Sequence, residues 1–370
     1  MKRILGLILA ISIIAACRDK EQRLKYTIAL EFPLEQHVAG QIMNTLDHFG
    51  IRSLMVIDSF LVVVTPKDSN YFHVYSTTNE ELISKFSGKG RGPEEFISVD
   101  PILSVGDNPK QLFHLYDFGK KKITKIDFIR SIKEGEFIYE NFPTGIANQG
   151  GNSPIETVYH VSEDRIIYRN ASEKAVRFNI FNNHTGEIVD IPHNFPKRTE
   201  YSITESSENR VFMATSLAVN QSLNKIALGP YLLGELDFFD LNGKYLSTTL
   251  YVSQYTNRKL LSDLYDNPNA LHSFNKIVSS DNSFIYILNN NYLEGVIPPS
   301  AGEINYKPIP SPESVGHTNE LLVFDWEGKP AMKILFDKFI SNCTVDSENR
   351  LIYGIYRQPL GDDVVIKYRF

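Results

Sequence analysis

The densest run of chemistry-bearing residues is Gly88-Lys89-Gly90-Arg91-Gly92-Pro93-Glu94-Glu95-Phe96. Glycines at alternate positions beside two cations raise the question of phosphate binding. The spacing is G-x-G-x-G rather than G-x-G-x-x-G, and no Gly-Lys-Ser/Thr opens a helix after it. Pro93 and the pair Glu94-Glu95 stand where a nucleotide loop would lead into a helix and want no added negative charge. A nucleotide site is therefore excluded. Two readings stay open. In the first, the stretch is a latch between structural units: glycines turn the backbone, Pro93 stiffens it, and Arg91 pairs with Glu94 or Glu95. In the second, the planar five-donor fork of Arg91 meets a ligand carboxylate or sulfate.

Catalytic signatures are absent elsewhere. There is no His-Glu-x-x-His and no Gly-x-Ser-x-Gly, and the 9 histidines are scattered without metal-ligand spacing. His114 and Asp117 lie three apart in a strand-like run, so they point to opposite faces. Aromatic rings offer sugar-stacking surfaces: Trp326 in a turn, and Tyr292 and Tyr306 in a Pro-rich stretch. Against that, most aromatics of a β protein are core.

The two cysteines differ in context. Lys2 and Arg3 precede an apolar run from Ile4 to Ala16 that is shorter than the roughly 20 residues a spanning helix needs. It fits the h-region of a secretory signal. It ends in Ile14-Ala15-Ala16-Cys17, which resembles the bacterial lipobox, so Cys17 is the expected lipidation site. Acyl chains add about 0.8 kcal/mol per buried methylene and would hold the chain to a membrane. Residues 1–16 read as a signal peptide, 17–25 as a charged tether, and 26–370 as one domain. Cleavage removes two of the 38 basic side chains and none of the 44 acidic ones, so net charge falls from −6 to −8. A basic nucleic-acid face is not expected. Cys343 would be the sole remaining thiol, which excludes an internal disulfide and reads as a buried inert group.

The elements that must position these residues are strands. With 23 Phe and 19 Tyr beside many Ile and Val, composition favours sheets. Six apolar runs recur: Leu61–Val64, Leu112–Tyr116, Arg165–Tyr168, Lys225–Leu228, Phe284–Leu288 and Leu351–Tyr353. Turns of one type accompany them: Asp240-Leu241-Asn242-Gly243-Lys244, Asp325-Trp326-Glu327-Gly328-Lys329, Asn183-His184-Thr185-Gly186-Glu187 and the looser Asp117-Phe118-Gly119-Lys120. In such turns Asp or Asn bonds the backbone two residues on, and Gly takes a positive φ. Strand, strand, hairpin, strand is the pattern of a propeller blade. The expected fold is an all-β, six-bladed β-propeller, with seven blades as the alternative. Three stretches break the pattern. Ser253–Phe274 has helical spacing, Tyr292–Glu320 is Pro-rich, and Glu134–Tyr159 is Gly- and Asn-rich in its second half.

The Gly88–Phe96 stretch, with Phe32-Pro33-Leu34-Glu35 and the strand pair between them, resembles the TolB-like six-bladed propeller lipoproteins of the Bacteroidetes. The resemblance implies a propeller anchored in the cell envelope, at the outer membrane, and supplies no activity. Its specific part is confined to residues 26–100. Two functions stay open. The first is a non-catalytic binding or scaffolding module for a protein, peptide or glycan, with no cofactor. The second is a metal-assisted hydrolase, lactonase or lyase whose divalent ion would sit in the central channel.

Overall fold

The six apolar runs turn out to share one position in the architecture: each is the second strand of a four-stranded unit. The computed structural model of the chain describes residues 26–48, 50–102, 112–117, 119–120, 122–141, 155–162, 164–170, 176–192, 215–231, 233–251, 274–290, 318–358 and 363–370. Three strands come first: β1 (Tyr26–Ile28), β2 (Glu35–Val38) and β3 (Gln41–His48). Blade one is β4 (Ser53–Ile57), β5 (Phe60–Val64), β6 (Asn70–Ser76) and β7 (Leu82–Gly88). Blade two is β8 (Val99–Ile102), β9 (Leu112–Asp117), β10 (Lys122–Asp127) and β11 (Tyr139–Asn141), with helix α1 (Phe128–Glu134) before its last strand. Blade three is β12 (Ile155–Ser162), β13 (Arg165–Asn170), β14 (Val176–Asn182) and β15 (Ile188–Pro192). Blade four is β16 (Thr215–Asn220), β17 (Lys225–Pro230), β18 (Glu235–Asp240) and β19 (Tyr245–Leu250). Blade five is β20 (Phe274–Ser280), β21 (Phe284–Asn290), β22 (Thr318–Asp325) and β23 (Pro330–Ile340). Blade six takes β24 (Asn342–Asp346), β25 (Leu351–Arg357) and β26 (Asp363–Arg369), and is completed by β3 from the other end of the chain.

Six sheets among the described residues, each with its strands in sequence order apart from these borrowed ones, make six blades and not seven. First strands of successive blades lie against one another: β8 with β12, β12 with β16, β16 with β20, β20 with β24, and β24 with β4. They form the inner ring. A second strand is covered on both faces by the adjoining blades, so it carries an unbroken apolar run. Leu61, Val62, Val63 and Val64 are fully buried, as are Ile226, Ala227 and Leu228. At about 25 cal/mol per Å² of apolar surface, these inter-blade layers are the main source of stability.

The N-terminal segment forms a belt that the sequence reading did not anticipate. β1 adds in parallel to the outer edge of β19, β2 adds in parallel to the outer edge of β23, and β3 pairs antiparallel with β26. Three consecutive blades are thus edged by one stretch of 23 residues, 26–48. Ala29 N donates to Leu250 O at 2.8 Å, Lys333 N to Leu34 O at 2.9 Å, and Gly40 N to the Asp337 carboxylate at 3.1 Å. Phe32 meets Phe324 edge-on at 5.3 Å. Covering an open edge removes a template for unwanted pairing.

The repeated turn behaves as its chemistry dictates in blades three, four and five, where it joins the third strand to the fourth. Asp240 Oδ1 accepts from Asn242 N and Lys244 N, and Asp325 Oδ1 from Glu327 N and Lys329 N. In blade three the capping side chain is Asn182, one residue earlier than the spacing had placed it. Gly186, Gly243 and Gly328 have φ of +73°, +82° and +78°. The Asp117 turn is different: it joins β9 to β10, the second strand to the third, so it does not belong to this series. In blade two the third-to-fourth position holds α1 instead, capped by Asp127 and ended by Gly135 at φ 73°.

Two of these glycines separate conformational strain from crowding. An added Cβ at Gly328 runs into Thr249 Oγ1 and, at 2.8 Å, the Phe238 ring, while at Gly186 it meets nothing within 4 Å. Gly328→Ala is expected to cost about 2–4 kcal/mol, from left-handed strain plus overpacking, and Gly186→Ala about 1 kcal/mol from strain alone. Urea unfolding of the two variants distinguishes them.

Buried phenols set the alkaline limit. Burial, and then the nearby Asp68 and Asp190 carboxylates, push Tyr75 and Tyr168 from 10.0 up to about 12. A raised folded-state value means that their contribution is complete below pH 10 and is lost as pH rises towards 12. Stability followed by fluorescence from pH 9 to 12 is expected to fall through that window, together with tyrosinate absorbance.

Candidate functional site

Alternation of strand direction divides the ring into two unlike faces. First-to-second and third-to-fourth turns fall on one face, and in all blades but the second they are short among the described residues. Second-to-third and blade-to-blade connections fall on the other. That face receives the Gly88–Phe96 loop and the strand ends from which the connections spanning 142–154, 193–214, 252–273 and 291–317 depart. The expected helix within Ser253–Phe274 and the Pro-rich stretch lie outside the described residues, as do Tyr292, Tyr306 and Cys17.

The Gly88–Phe96 loop carries the chain from blade one to blade two. Its geometry is that of a latch, built otherwise than the sequence implied. Arg91 and Glu94 are exposed and do not pair, and Glu95 does not reach Arg91 either. The Glu95 carboxylate turns back onto its own loop and accepts from Gly92 N at 2.7 Å. None of Gly88, Gly90 and Gly92 has a positive φ. A Cβ at Gly90 would displace that carboxylate from its place, and one at Gly92 would press on it at 3.0 Å. Ser87 Oγ donates to Glu94 O at 2.8 Å, and Phe96 closes the loop by exchanging backbone bonds with Gly88 and Gly90, each at 3.0 Å. The Phe96 ring sits edge-on to Tyr71, Phe72 and Phe137 in the core shared by the two blades.

Asp117 and Lys120 hold the loop from blade two. The buried Asp117 carboxylate accepts from Ile97 N (2.9 Å), Ser98 N (3.3 Å), Gly119 N (2.8 Å) and Lys120 N (3.1 Å). Lys120 Nζ donates to Gly92 O and Glu95 O, both at 2.6 Å. Tyr71 OH adds a bond to Ile97 O at 2.7 Å. The spacing of Asp117-x-Gly119-Lys120 signals a turn, but nothing in it says that the same carboxylate clamps residues twenty positions earlier.

Between blades three and four lies a charge pair that no motif announced. Arg177 and Asp237 are fully buried and ion-paired; Thr248 Oγ1 donates to Asp237, and Tyr245 OH bonds Thr248 at 2.9 Å. The guanidinium also lies 5.7 Å from the Phe239 ring centre. Near the connection ends of blades four and five, Glu320 accepts from Asn289 Nδ2 and pairs with Lys333 at 3.0 Å. Burial, then Glu235 and Glu320, push the Tyr251 phenol well above its ordinary value. Buried charged and polar groups thus gather near the connection ends of blades three to five, where Arg177 Nε and Glu235 Oε1 make no hydrogen bond among the described residues. Among the described residues no group of three His, Cys, Asp or Glu side chains is arranged to hold a metal ion.

Two expectations are settled on the other side. Trp326 is in its turn but only 2 % exposed. Its Nε1 donates to Asp281 O at 2.8 Å and the ring packs beneath the turn face, so it offers no surface to a sugar. Cys343 is buried and free, and burial raises its thiol far above the usual range, leaving it inert.

The model of the TolB-like 6-blade propeller-like family matches residues 52–348, from the approach to β4 to the turn after β24. The chain belongs to that family. A TolB-like match over this span covers five complete blades and the opening of the sixth; the N-terminal belt lies outside it. Two solved structures share the fold. One is a DUF4221 family member from Bacteroides vulgatus, at 14 % identity and TM-score 0.53, covering 92 % of this chain and 98 % of the other. The second is a putative exported protein from Bacteroides fragilis, at 9 % identity and TM-score 0.52, covering 93 % and 99 %. Among curated proteins no match is found. Within the TolB-like chain no helix of the described residues is long and apolar enough to cross a membrane.

Proposed function

We propose that this TolB-like chain is an exported, lipid-anchored binding module, held through Cys17 at the outer membrane of the cell envelope, whose connection face recognises a protein, peptide or glycan. The observation that carries the reading is the asymmetry of the ring. Outside blade two, one face is finished with short turns among the described residues, while the other holds the strand ends from which the longest connecting segments depart, next to the Gly88–Phe96 loop. The signal-like residues 1–16 support export, in keeping with the name of the exported structural neighbour, and the lipobox-like residues 14–17 support the anchor.

Two measurements test it. Metabolic labelling with an alkynyl fatty acid is expected to mark the wild-type chain and not Cys17→Ala; equal labelling of both removes the anchor. Thermal unfolding with EDTA, then with calcium, magnesium, manganese or zinc, tests the channel. A metal at one hundred times its dissociation constant adds about 2.7 kcal/mol. An unchanged melting temperature is expected, and a metal-dependent rise would move a metal-assisted hydrolase, lactonase or lyase ahead.

A further inference from the structure

We infer that the outer rim of blades four and five rests on the lipid bilayer, through an apolar stripe formed by Tyr26, Ile28, Leu30 and Leu34. This placement rests on the proposed anchoring through Cys17 and names the side of the ring that meets the membrane. Of the ten large apolar side chains exposed among the described residues, five stand on the N-terminal belt: Tyr26, Ile28, Leu30, Leu34 and Ile42. A sixth, Phe339, lies in β23, the strand that β2 edges. Tyr26 and Ile28 alternate along β1, so they share one side of the sheet. Ala29 turns the other way, into the core between blades four and five, where Phe32 also packs. Leu30 follows at the next outward position. An exposed apolar stripe of this kind marks an interaction surface.

The distance from Cys17 decides the occupant. Only residues 18–25 separate Cys17 from Tyr26, and a chain of that length reaches about 30 Å even when fully extended. An acylated Cys17 sits at the bilayer surface, so the stripe is confined to the layer beside it. Contact with lipid is then an intramolecular step, favoured over any dissolved partner by its effective concentration. The link carries Arg18, Lys20, Arg23 and Lys25 against Asp19 and Glu21, an excess of cations suited to anionic headgroups. Glu31 is an exposed acid within the stripe. Apolar side chains at headgroup depth add a second attachment to the acyl chains, and the amphipathic ring of Tyr26 suits that depth. Because β1 and β2 lie on outer edges, the ring stands on its rim and keeps the connection face in water.

The test uses the mature lipidated protein in vesicles of phosphatidylethanolamine and phosphatidylglycerol, spin-labelled through Ile28→Cys, Leu30→Cys, Leu82→Cys or Leu223→Cys. Buried Cys343 does not compete for the label. Leu82 is exposed on β7, the outer strand of blade one, which lies across the six-membered ring from blade four; Leu223 is exposed on the turn face. Relaxation by oxygen relative to a water-soluble nickel chelate is expected to be several-fold greater at Ile28 and Leu30 than at Leu82 and Leu223. Nickel access at Ile28 and Leu30 equal to that at Leu82 overturns the inference. So does dipolar broadening at Leu30 that grows with protein-to-lipid ratio, which would make a second copy the occupant. Incorporation of an alkynyl fatty acid, read on the same preparation, separates the two levels. With the fatty acid present and the stripe in water, the anchor stands and this inference alone falls; without the fatty acid, both fall.

Discussion

Asp117→Ala is expected to lower the unfolding free energy by about 4 kcal/mol, with a fall in melting temperature on the order of 10 °C. The arithmetic is local. The carboxylate is fully buried and accepts four backbone N–H groups, two from the incoming strand and two from its own turn. Alanine removes the acceptor of all four donors in part-buried surroundings, where water replaces it only in part, at roughly 1 kcal/mol each. A side-chain amide keeps one acceptor oxygen at this position, so Asp117→Asn is expected to cost about half as much. The loss should be concentrated at the join of blades one and two. Hydrogen exchange is expected to accelerate at Ile97, Ser98, Gly119 and Lys120 before it does in β17 or β21. Because Lys120 takes its position from the same turn, the variant should also loosen the frame that presents Arg91.

The Arg177–Asp237 pair gives the second large effect, with a sign that depends on how it is removed. Arg177→Met alone strands a carboxylate in the interior between blades three and four, and Asp237→Leu alone strands a guanidinium. Each is expected to cost about 3–5 kcal/mol. The double variant Arg177→Met with Asp237→Leu is expected to regain most of that, since well-packed apolar side chains avoid the desolvation that both charges suffer. A denaturant-unfolding cycle over the four proteins measures the coupling directly. A double variant as unstable as the sum of the singles would show that the surrounding polar groups, Thr248 and Tyr245 among them, depend on the pair for more than charge balance.

Much of this ring was legible because its most buried strands are also its most regular. The runs at 61–64, 112–116, 165–168, 225–228, 284–288 and 351–353 are second strands, sandwiched between neighbours, so burial wrote itself into continuous apolar sequence. The turns at Gly186, Gly243 and Gly328 were legible because a positive φ selects glycine and an adjacent Asn or Asp. Parallel edge pairing leaves no comparable trace. β1 and β2 are short, partly exposed and joined by no tight turn, so the belt could not be read from Tyr26-Thr27-Ile28 or Glu35–Val38. The Gly88–Phe96 loop was half legible. Its residue types marked it as a latch, but the partners were assigned by charge proximity in sequence, Arg91 to Glu94 or Glu95. The fold satisfied backbone donors first and drew its cation from Lys120, on another blade. Trp326 shows the same limit: a turn position suggested exposure, and the neighbouring blade-five turn at Asp281 covers it.

Site-specific photo-crosslinking in native membranes tests the central claim, that the two faces have different roles. A photoreactive residue would replace Arg91 or Lys67 on the connection face, and Leu223 or Glu187 on the turn face. Adducts are expected from the first pair and not from the second. Adducts from Leu223 and Glu187 alone, or equally from both pairs, would contradict the assignment of binding to the connection face.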